Sequence, residues 1–392
     1  MKKVLIIVIS IILAIVIVFG GLMFLSSRPI TKSQAIVAIE DIAKSKIGKK
    51  HITQSIVYIN SGKYGIDEHF AFGELNGVAI EADQPFHVAS VGKAFTATLI
   101  GLLIDQGKIS LDDKISAYLD AETLDRLFVY ENTDYSDQVT IGQLLNHTSG
   151  VADYFDDKAI DSKSITELVV ANPETFWTPN DLLDFSRHYQ MAVGIPGEKY
   201  HYSDTGYILL GLIIENVSGM AFHEMLHQMI FEPLKMDDSY LMFYSEPKNE
   251  KRPIADIWLG GTNVKDYQSL SIDWAGGGII STADDLATFV RSLNNDEIVS
   301  ESTLSRMYQF DDYKFMTGIH YGYGFMEYHF EEFMPTLSSL PNFTGHMGIL
   351  GTQMFYDKTT DTVYISSCGS TDAPSTSVQD MIKIISMLQR IK

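Results

Sequence analysis

Hydrophobic and polar residues near the beginning of the chain follow first a helical period and then a strand-like pattern. Apolar residues at helical spacing predict an amphipathic helix from a capping residue, Ser33, to about Lys46. Two strand-like runs, Ser55–Asn60 and Ile66–Gly73, follow around a Ser-Gly turn. The pattern therefore predicts one helix and two neighbouring strands in this segment.

The middle of the chain is mostly helical in pattern, from about Pro85 to about residue 245. Its strongest helix begins near Ser90 and ends before Gly107, and it is apolar nearly all round. A helix of this kind is typical of a buried position. A second apolar helix is predicted over about Asp204–Val217.

The last third of the chain returns to mixed strand and helix signals. A Gly-rich stretch, Asn263–Gly278, precedes a helix that Ser281 or Thr282 caps and that runs through Leu293. Three strands and a final helix are predicted near Phe325–Phe330, Thr352–Tyr356, Thr362–Ser367 and Ser377–Ile391. A central helical block therefore interrupts a strand-and-helix layer that is built from both ends of the chain.

The first 25 residues have the pattern of a membrane span. Val4–Leu25 contains 22 residues without a charge and follows Lys2 and Lys3. A helix of this length extends about 33 Å, which is enough to cross a bilayer. A cleaved signal peptide is the alternative, but its apolar core is usually about 7–15 residues long and is followed by a cleavage motif. Ser26–Pro29 is no clear cleavage site, so we expect residues 1–25 to be an uncleaved transmembrane anchor.

The anchor prediction sets the expected location of the rest of the chain. Residues 26–33 have the composition of a linker, and residues 34–392 would form the main domain. The two lysines before the span favour a cytoplasmic N-terminus, although Arg28 and Lys32 flank its other side. We therefore expect a single-pass protein of the cell membrane whose main domain is extracytoplasmic.

The charge and cysteine content exclude several classes of partner and site. The chain has 50 acidic and 29 basic residues, which gives a formal net charge of −21. Nucleic-acid binding needs clustered Lys and Arg, so no nucleic-acid partner is expected. The single cysteine, Cys368, excludes an intrachain disulfide and a metal site built from several cysteines. Composition leaves the oligomeric state open.

The beginning of the strongest helix carries a candidate nucleophile. Ser90 and Lys93 are three residues apart, so their side chains share one helix face about one turn apart. A helix N-terminus favours developing negative charge on a serine oxygen and disfavours the lysine cation. A lysine made less basic beside a serine is an arrangement that activates a nucleophile. The motif alone is common by chance, and a capped helix with a surface lysine is the alternative.

Two further motifs place polar groups or glycines next to regular elements. The Tyr200–Tyr207 segment puts Tyr202 in a loop before an apolar helix, where its phenol can face a neighbouring site. The Gly345–Gly348 segment (Gly-His-Met-Gly) precedes a predicted strand. Its glycines allow the backbone to approach a ligand closely.

These motifs together resemble the serine β-lactamase and penicillin-binding protein superfamily, on its class-C-like branch. That branch includes class C β-lactamases, D,D-carboxypeptidases, D-aminopeptidases and related esterases. The shared blocks also include Ile141–Gly150, Pro196–Lys199 and Gly276–Leu286, which follow the family's order and approximate spacing over roughly residues 33–392.

The resemblance implies an α+β, β-lactamase-like fold. An antiparallel sheet of about five strands, flanked by helices, would come from residues 34–85 and 262–392. An inserted all-helical region, residues 86–261, would pack on it with the active site in the crevice. The resemblance implies no metal and no organic cofactor.

The resemblance also implies catalytic roles for four residues. Ser90 would be the acylated nucleophile, Lys93 its activating partner, and Tyr202 the group that shuttles the proton. The backbone N–H groups of Ser90 and Ile349 would form the oxyanion hole. The expected chemistry is hydrolysis through a covalent acyl-enzyme.

The positions expected to bind substrate depart from the family pattern. Asp204 stands where the family most often has Asn, and an ionised Asp accepts hydrogen bonds but donates none. In the third motif, His346 replaces a frequent Lys, and Met347, before Gly348, replaces a Thr or Ser that helps bind a carboxylate. We therefore expect weak penicillin hydrolysis and a substrate without a free carboxylate beside the scissile bond. Asp204 could instead hold a substrate ammonium or, by touching Lys93, keep that lysine protonated.

Two other histidine motifs receive structural interpretations. His223–His227 matches the zinc-protease pattern H-E-x-x-H, but it would need a third ligand and a pocket. We expect that helix to be structural and the protein to bind no metal. His147 is expected mainly to order its loop.

The sequence therefore predicts an extracytoplasmic serine hydrolase that acts on an ester or amide, with D-amino-acid and cell-wall derivatives as candidate substrates. The alternative is a catalytically silent binding protein on the same scaffold that recognises cell-wall components. Asp204 and Met347 favour the silent protein, whereas Ser90, Lys93 and Tyr202 favour the enzyme.

Overall fold

The structure is a computed structural model and describes residues 28–392. Its strands, in chain order, are β1 (Gln54–Ser61), β2 (Ile66–Leu75), β3 (Val78–Ala79), β4 (Phe86–His87), β5 (Val129–Tyr130), β6 (Thr133–Asp134), β7 (Tyr240–Leu241), β8 (Trp258–Leu259), β9 (Thr262–Asn263), β10 (Ile279–Ser281), β11 (Tyr313–Met316), β12 (Ile319–Tyr321), β13 (Met326–Tyr328), β14 (Phe343–Gly348), β15 (Thr352–Asp357) and β16 (Thr362–Ser367). Nine of them form one antiparallel sheet in the spatial order β11-β12-β13-β14-β15-β16-β1-β2-β3. The short strands β4, β10 and β7 form a second, smaller sheet.

Helices cover the large sheet and fill the middle of the chain. The α-helices of the described residues are α1 (Lys32–Lys44), α2 (Gly92–Asp105), α3 (Ala121–Leu124), α4 (Ile141–Leu145), α5 (Ile165–Ala171), α6 (Pro179–Tyr189), α7 (Asp204–Ser218), α8 (Phe222–Leu226), α9 (Glu232–Leu234), α10 (Trp274–Gly277), α11 (Ala283–Asn294), α12 (Glu301–Met307), α13 (Phe330–Phe333) and α14 (Pro374–Leu388). Two 3-10 turns, Ala89–Val91 and Gln268–Asp273, lead into α2 and α10.

Local sequence signals account for most of the helix boundaries. Thr31 caps α1 in a capping box with Gln34, so the prediction that Ser33 caps this helix was wrong by two residues. Thr282 caps α11, as one of the two predicted alternatives. Gly219 ends α7 in the left-handed conformation, with φ of 71°, which a glycine adopts without steric cost.

The large sheet contains more strands than the sequence pattern predicts. It has nine strands where about five were expected, and β14 includes the Gly345–Gly348 motif that we had placed before a strand. Two glycines and a histidine at the end of β14 interrupt the apolar alternation that marks a half-buried strand. Strands β11 and β12 are short hairpin strands, and their sequence carries equally little periodic signal.

The sheet separates two hydrophobic cores, because successive side chains of a strand point to opposite faces. In β1, Ile56 and Tyr58 belong to the core shared with the helical region. Val57 and Ile59 belong to a second core under α1 and α14. Helix α11 packs on β1, β15 and β16 on the side of the helical region.

Helix α2 lies at the boundary between the sheet and the helical region. It contacts α7 and α10, and the turn before it contacts the end of β14. A Cβ on Gly92 would lie 2.8 Å from the Gly277 Cα, so a glycine is required where α2 meets α10. These contacts bring the ends of α2, α7, α10 and β14 to one place.

The predicted anchor, residues 1–25, lies outside the described residues. Among residues 28–392, no single helix is both long and apolar enough to cross a bilayer. The pair Asp204–Ser218 and Phe222–Leu234, bent by 79°, meets the length and composition test only when taken together.

Candidate active site

The predicted nucleophile and its lysine meet at the start of α2. Ser90 lies in the 3-10 turn directly before the helix, and Ala89 in the same turn has a left-handed φ of 50°. The Lys93 Nζ lies 3.3 Å from the Ser90 Oγ and donates a hydrogen bond to it. The turn therefore presents the serine at the surface of a cavity while the lysine lies beneath it.

All three donors of the Lys93 ammonium have an acceptor. Besides the Ser90 hydroxyl, Lys93 bonds to the Asp204 carboxylate and to the Gly276 carbonyl oxygen, the latter at 2.9 Å. Its side chain is fully buried, and its Nζ lies 5.1 Å from the centroid of the Tyr202 ring. An ammonium with three acceptors has no lone pair to take a proton from the serine.

Tyr202 is the second group at the nucleophile. Burial raises the pKa of its phenol well above the usual value, and the negative charge of Asp204 raises it further. A hydrogen bond with the Ser90 side chain acts in the opposite direction and lowers that pKa. Tyr202 is therefore a neutral phenol at neutral pH, in contact with the hydroxyl that it would deprotonate.

The segment that carries Tyr202 and Asp204 is held by His147 and Asp153. The His147 Nδ1 accepts a hydrogen bond from the Ser203 amide at 3.0 Å, and its ring packs against that of Tyr202 at a centroid distance of 4.1 Å. The Asp153 Oδ1 accepts a hydrogen bond from the Asp204 amide at 3.0 Å. The expectation that His147 orders its loop agrees with these contacts. Asp153 was missed, since nothing in its local sequence marks it.

The end of β14 lies directly against the nucleophile turn. A Cβ on Gly348 would lie 2.8 Å from the Val88 carbonyl oxygen and 3.2 Å from the Ser90 amide nitrogen. Ile349 follows at the rim of the cavity, and its amide donates no hydrogen bond within residues 28–392. The amides of Ser90 and Ile349 are thus placed on one side of the cavity, where oxyanion donors are expected.

His346 does not reach the cavity, although we expected it to bind substrate. Its side chain is fully buried, with Nε2 3.0 Å from the Tyr321 hydroxyl and Nδ1 2.8 Å from the Met347 carbonyl oxygen. Burial and the nearby Lys93 charge lower the pKa of His346 to about 3, so its imidazole is neutral. His346 supports β14 from behind the site, through Tyr321.

A cavity of about 220 Å³ opens in front of Ser90. Ser90, Tyr202, Asp204, Met347, Gly348 and Ile349 line it, so these predicted residues are brought together. Much of the remaining wall is apolar and is formed by Phe155, Phe315, Met316 and Met326. Two more carboxylates, Asp156 and Asp273, complete it.

Asp156 and Asp273 are the charged residues of the cavity wall that sequence reasoning missed. Burial, followed by the charge of Asp204, raises the pKa of Asp273 to about 7. The same two causes raise the pKa of Asp156. Asp273 lies three residues before the shared Gly276–Leu286 block, and this position was the available signal. Asp156 lies in an irregular loop and offers none.

The histidine motifs do not form a metal centre in the described part of the chain. His227, of the zinc-protease pattern, places Nε2 3.0 Å from the Ser245 hydroxyl. The helix Phe222–Leu226 that carries the start of the pattern is held by its buried residues Phe222, Met225 and Leu226. Ligand atoms gather only at His320, His329 and Glu332, among the residues that the structure describes. Both Glu332 oxygens there already accept hydrogen bonds from the Lys314 ammonium, at 2.7 and 2.8 Å. The Lys314 ammonium therefore already pairs with the Glu332 carboxylate that a metal ion would need.

Comparison with curated proteins finds penicillin-binding proteins. A penicillin-binding protein of Bacillus subtilis (strain 168) is 27% identical over 299 residues, which are 71% of this chain and 61% of that protein. Penicillin-binding protein 4 of Amycolatopsis lactamdurans is 28% identical over 235 residues, or 58% of this chain and 55% of that protein. This chain therefore matches less than two thirds of the length of these relatives.

Comparison with solved structures shows the fold. A D-stereospecific amidohydrolase from Streptomyces sp. has a TM-score of 0.72 at 23% identity, covering 88% of this chain and 97% of that one. The D-amino acid amidase from Ochrobactrum anthropi SV3 has a TM-score of 0.71 at 22% identity, covering 91% and 99%. The predicted β-lactamase-like α+β fold is thereby confirmed.

The family model described as Beta-lactamase matches residues 53–372, a span that contains the nucleophile turn, the tyrosine segment and β14. Since this match covers more than half of the sequence, the chain belongs to the beta-lactamase family, within the superfamily of serine β-lactamases and penicillin-binding proteins.

Proposed function

We propose that the protein is a serine hydrolase that cleaves an ester or amide through an acyl-enzyme on Ser90. The observation that carries this proposal is the contact of the Ser90 hydroxyl with both Lys93, at 3.3 Å, and Tyr202, at the wall of a cavity. A nucleophile needs a base within hydrogen-bond reach and a place for the reacting carbonyl. The amides of Ser90 and Ile349 supply donors for the oxyanion that forms there.

The first step of the proposed reaction transfers the Ser90 proton to Tyr202. In the reactive form, a small fraction at neutral pH that grows as the pH rises, Tyr202 has lost its phenol proton to solvent and the nearby Lys93 ammonium stabilises the phenolate. The Ser90 Oγ bonds to the carbonyl carbon while its proton passes to the phenolate oxygen. The tyrosine then returns that proton to the leaving oxygen or nitrogen as the bond to carbon breaks. Water repeats the sequence on the acyl-enzyme and releases the acid.

Lys93 does not need to lose a proton in this scheme. Because Lys93 is fully hydrogen-bonded as an ammonium, it serves as a fixed positive charge beside Ser90 and Tyr202. Asp204 holds that ammonium in place. The same contact leaves Asp204 less able to hold a substrate ammonium, which was the other role that the sequence suggested for it.

Replacement of the nucleophile tests the proposal. We expect the full-length protein, purified in detergent, to hydrolyse a p-nitrophenyl ester and Ser90→Ala to lose that activity by orders of magnitude. Ser338→Ala is a matched control, because Ser338 is exposed and lies outside the cavity lining. Undiminished turnover by Ser90→Ala would refute the assignment.

A silent binding protein on the same scaffold is the second candidate. Its support is the Lys93 ammonium, which is saturated by its acceptors, and the absence of a family hydroxyl at Met347. Labelling with a fluorophosphonate, followed by peptide mapping, separates the two candidates. A stable label on Ser90, formed as its oxygen displaces fluoride, shows an activated nucleophile and supports the hydrolase, whereas an unlabelled Ser90 in folded protein supports the binding protein.

We also propose that the main domain acts outside the cytoplasm, held by residues 1–25. The support is the uncharged run Val4–Leu25 behind Lys2 and Lys3. The protein should then stay in the membrane fraction through a carbonate or high-salt wash. A soluble mature protein with an N-terminus beyond Leu25 would identify the segment as a signal peptide instead.

A further inference from the structure

The cavity in front of Ser90 is acidic. Among the described residues that line it, none is Lys, Arg or His, whereas three are Asp: Asp156, Asp204 and Asp273. Lys93 is the nearby cation, but it is fully buried and its charge is matched by Asp204. With Asp156 and Asp273 ionised, the site therefore carries a net negative charge toward its ligand.

The three carboxylates differ in whether they have a partner. Asp204 is paired with Lys93. Neither Asp156 nor Asp273 accepts a hydrogen bond from any residue in the described range 28–392. The nearest basic group to Asp273 is the His87 Nε2, at 3.6 Å, and burial lowers the pKa of His87 to about 4, so that ring is neutral. Two carboxylates thus face the cavity without a counter-charge.

A carboxylate in an apolar cavity is costly unless a cation or a donor meets it. Phe155, Phe315 and Met326 form an apolar wall beside these carboxylates. The Asp273 side chain is only 21% exposed, so that carboxylate is poorly solvated, whereas Asp156 is exposed. A substrate ammonium would supply both the positive charge and the hydrogen bonds. A substrate carboxylate would instead meet like charge and no basic side chain.

We propose that Asp156 and Asp273 select acyl groups that carry an ammonium near the scissile carbonyl, so that the substrates are esters or amides of amino acids with apolar side chains. This inference rests on the proposed acyl-enzyme chemistry at Ser90. The apolar wall takes the side chain, and the two carboxylates take the amino group. Asp204, which the sequence had suggested for this role, remains bound to Lys93.

A matched pair of substrates measures the contribution of the ammonium alone. The methyl ester of phenylalanine, in each enantiomer, is compared with methyl 3-phenylpropanoate, which lacks only the amino group. We expect the full-length protein to prefer the amino ester by tenfold or more in kcat/KM, about the effect of one charge-assisted hydrogen bond. The double variant Asp156→Asn, Asp273→Asn should bring this ratio close to one.

The variants need two controls. Asp161→Asn removes the same charge from an exposed aspartate five residues from Asp156 and should leave the ratio unchanged. Asp273→Glu keeps the charge and should retain much of the preference. Labelling of Ser90 by a fluorophosphonate reports whether each variant keeps a folded site.

The outcomes separate this inference from the proposed function. Ser90-dependent hydrolysis with no preference for the amino ester would overturn the inference and leave the hydrolase standing. A preference that survives the double variant would overturn the role of these two residues. Absence of Ser90-dependent hydrolysis of either ester, with fluorophosphonate unable to label folded protein, would overturn the hydrolase proposal itself.

Discussion

At the scale of single residues, the site combines a recognisable nucleophile pair with an unusual neighbour. The Ser90 and Lys93 spacing predicts their contact, because residues three apart share a helix face. The contact partner of Asp204 could be predicted only in part, since the sequence allowed its carboxylate to bind either Lys93 or the substrate. The structure pairs it with Lys93. Asp156 and Asp273 could not be predicted, because tertiary packing alone brings them to the cavity.

Replacing Asp204 should make the base more available. The Asp204 charge raises the pKa of Tyr202, so Asp204→Asn should lower that pKa and let the phenolate form at lower pH. We expect the rate of Ser90 acylation to rise with pH in both proteins, with the rise displaced to lower pH in the variant. The same change introduces an amide donor, so acylation by a β-lactam should improve severalfold. Stopped-flow acylation across a pH series measures both effects. An unmoved pH profile would contradict the electrostatic role of Asp204.

Removing the Tyr202 hydroxyl should slow acylation without unfolding the site. General acid–base groups contribute roughly 10²- to 10⁴-fold in rate, so we expect Tyr202→Phe to lose at least about 10²-fold in kcat. Tyr200→Phe is the matched control, because the buried Tyr200 hydroxyl has no hydrogen-bond partner within the described residues. Similar losses in the two variants would show that packing, rather than proton transfer, explains the effect.

At the scale of elements, strong periodicity was a reliable guide and weak periodicity was not. Strands β1, β2, β15 and β16 and helices α2 and α7 lie close to their predicted ranges, since continuous apolar runs bounded by turn residues specify them. Strand β14 was missed because glycines and polar residues interrupt its pattern, and β11 and β12 were missed because four and three residues are too few to show a period. Their pairing energy comes from neighbours in the sheet, which are distant in sequence.

The contact between β14 and the nucleophile turn gives a prediction at this scale. Gly348→Ala would put a Cβ 2.8 Å from the Val88 carbonyl oxygen and 3.2 Å from the Ser90 amide nitrogen, so the strand must shift. Loss of one oxyanion donor costs about 10²- to 10³-fold in kcat, and we expect an effect of this size. Gly206→Ala is the control, because its new Cβ would meet ordinary contacts of 3.5 Å and longer. Full activity of Gly348→Ala would show that the oxyanion donors lie elsewhere.

At the scale of the whole molecule, the site and the chain are both negatively charged. The formal net charge of −21 favours approach of cationic substrates, although salt screens this attraction at long range. The family resemblance predicted the fold and the position of the crevice. It did not predict that the crevice would be acidic, because that property depends on which side chains tertiary packing leaves without partners.

The acidity of the cavity should make its preference for cations depend on pH. Burial and the Asp204 charge raise the pKa of Asp273 to about 7, so Asp273 is neutral below that pH and negative above it. The groups that face it are Asp204 and Lys93, which form an ion pair, and His87, whose pKa of about 4 leaves it neutral over this range. The pKa of Asp156, in the same cavity wall, is also raised, so comparison with Asp273→Asn is what assigns a titration near pH 7 to Asp273.

A substrate with a permanent cation isolates this titration, because the α-amino group of an amino ester itself titrates near neutrality. We expect kcat/KM for the trimethylammonium analogue of the phenylalanine ester, divided by that for methyl 3-phenylpropanoate, to rise between about pH 5 and about pH 9. Dividing by the neutral ester cancels the pH dependence of Tyr202 and of acylation. In Asp273→Asn, the ratio should be low and should lose its rise near pH 7. A ratio that stays flat in the unmodified protein, or that rises equally in the variant, would contradict the role given to Asp273.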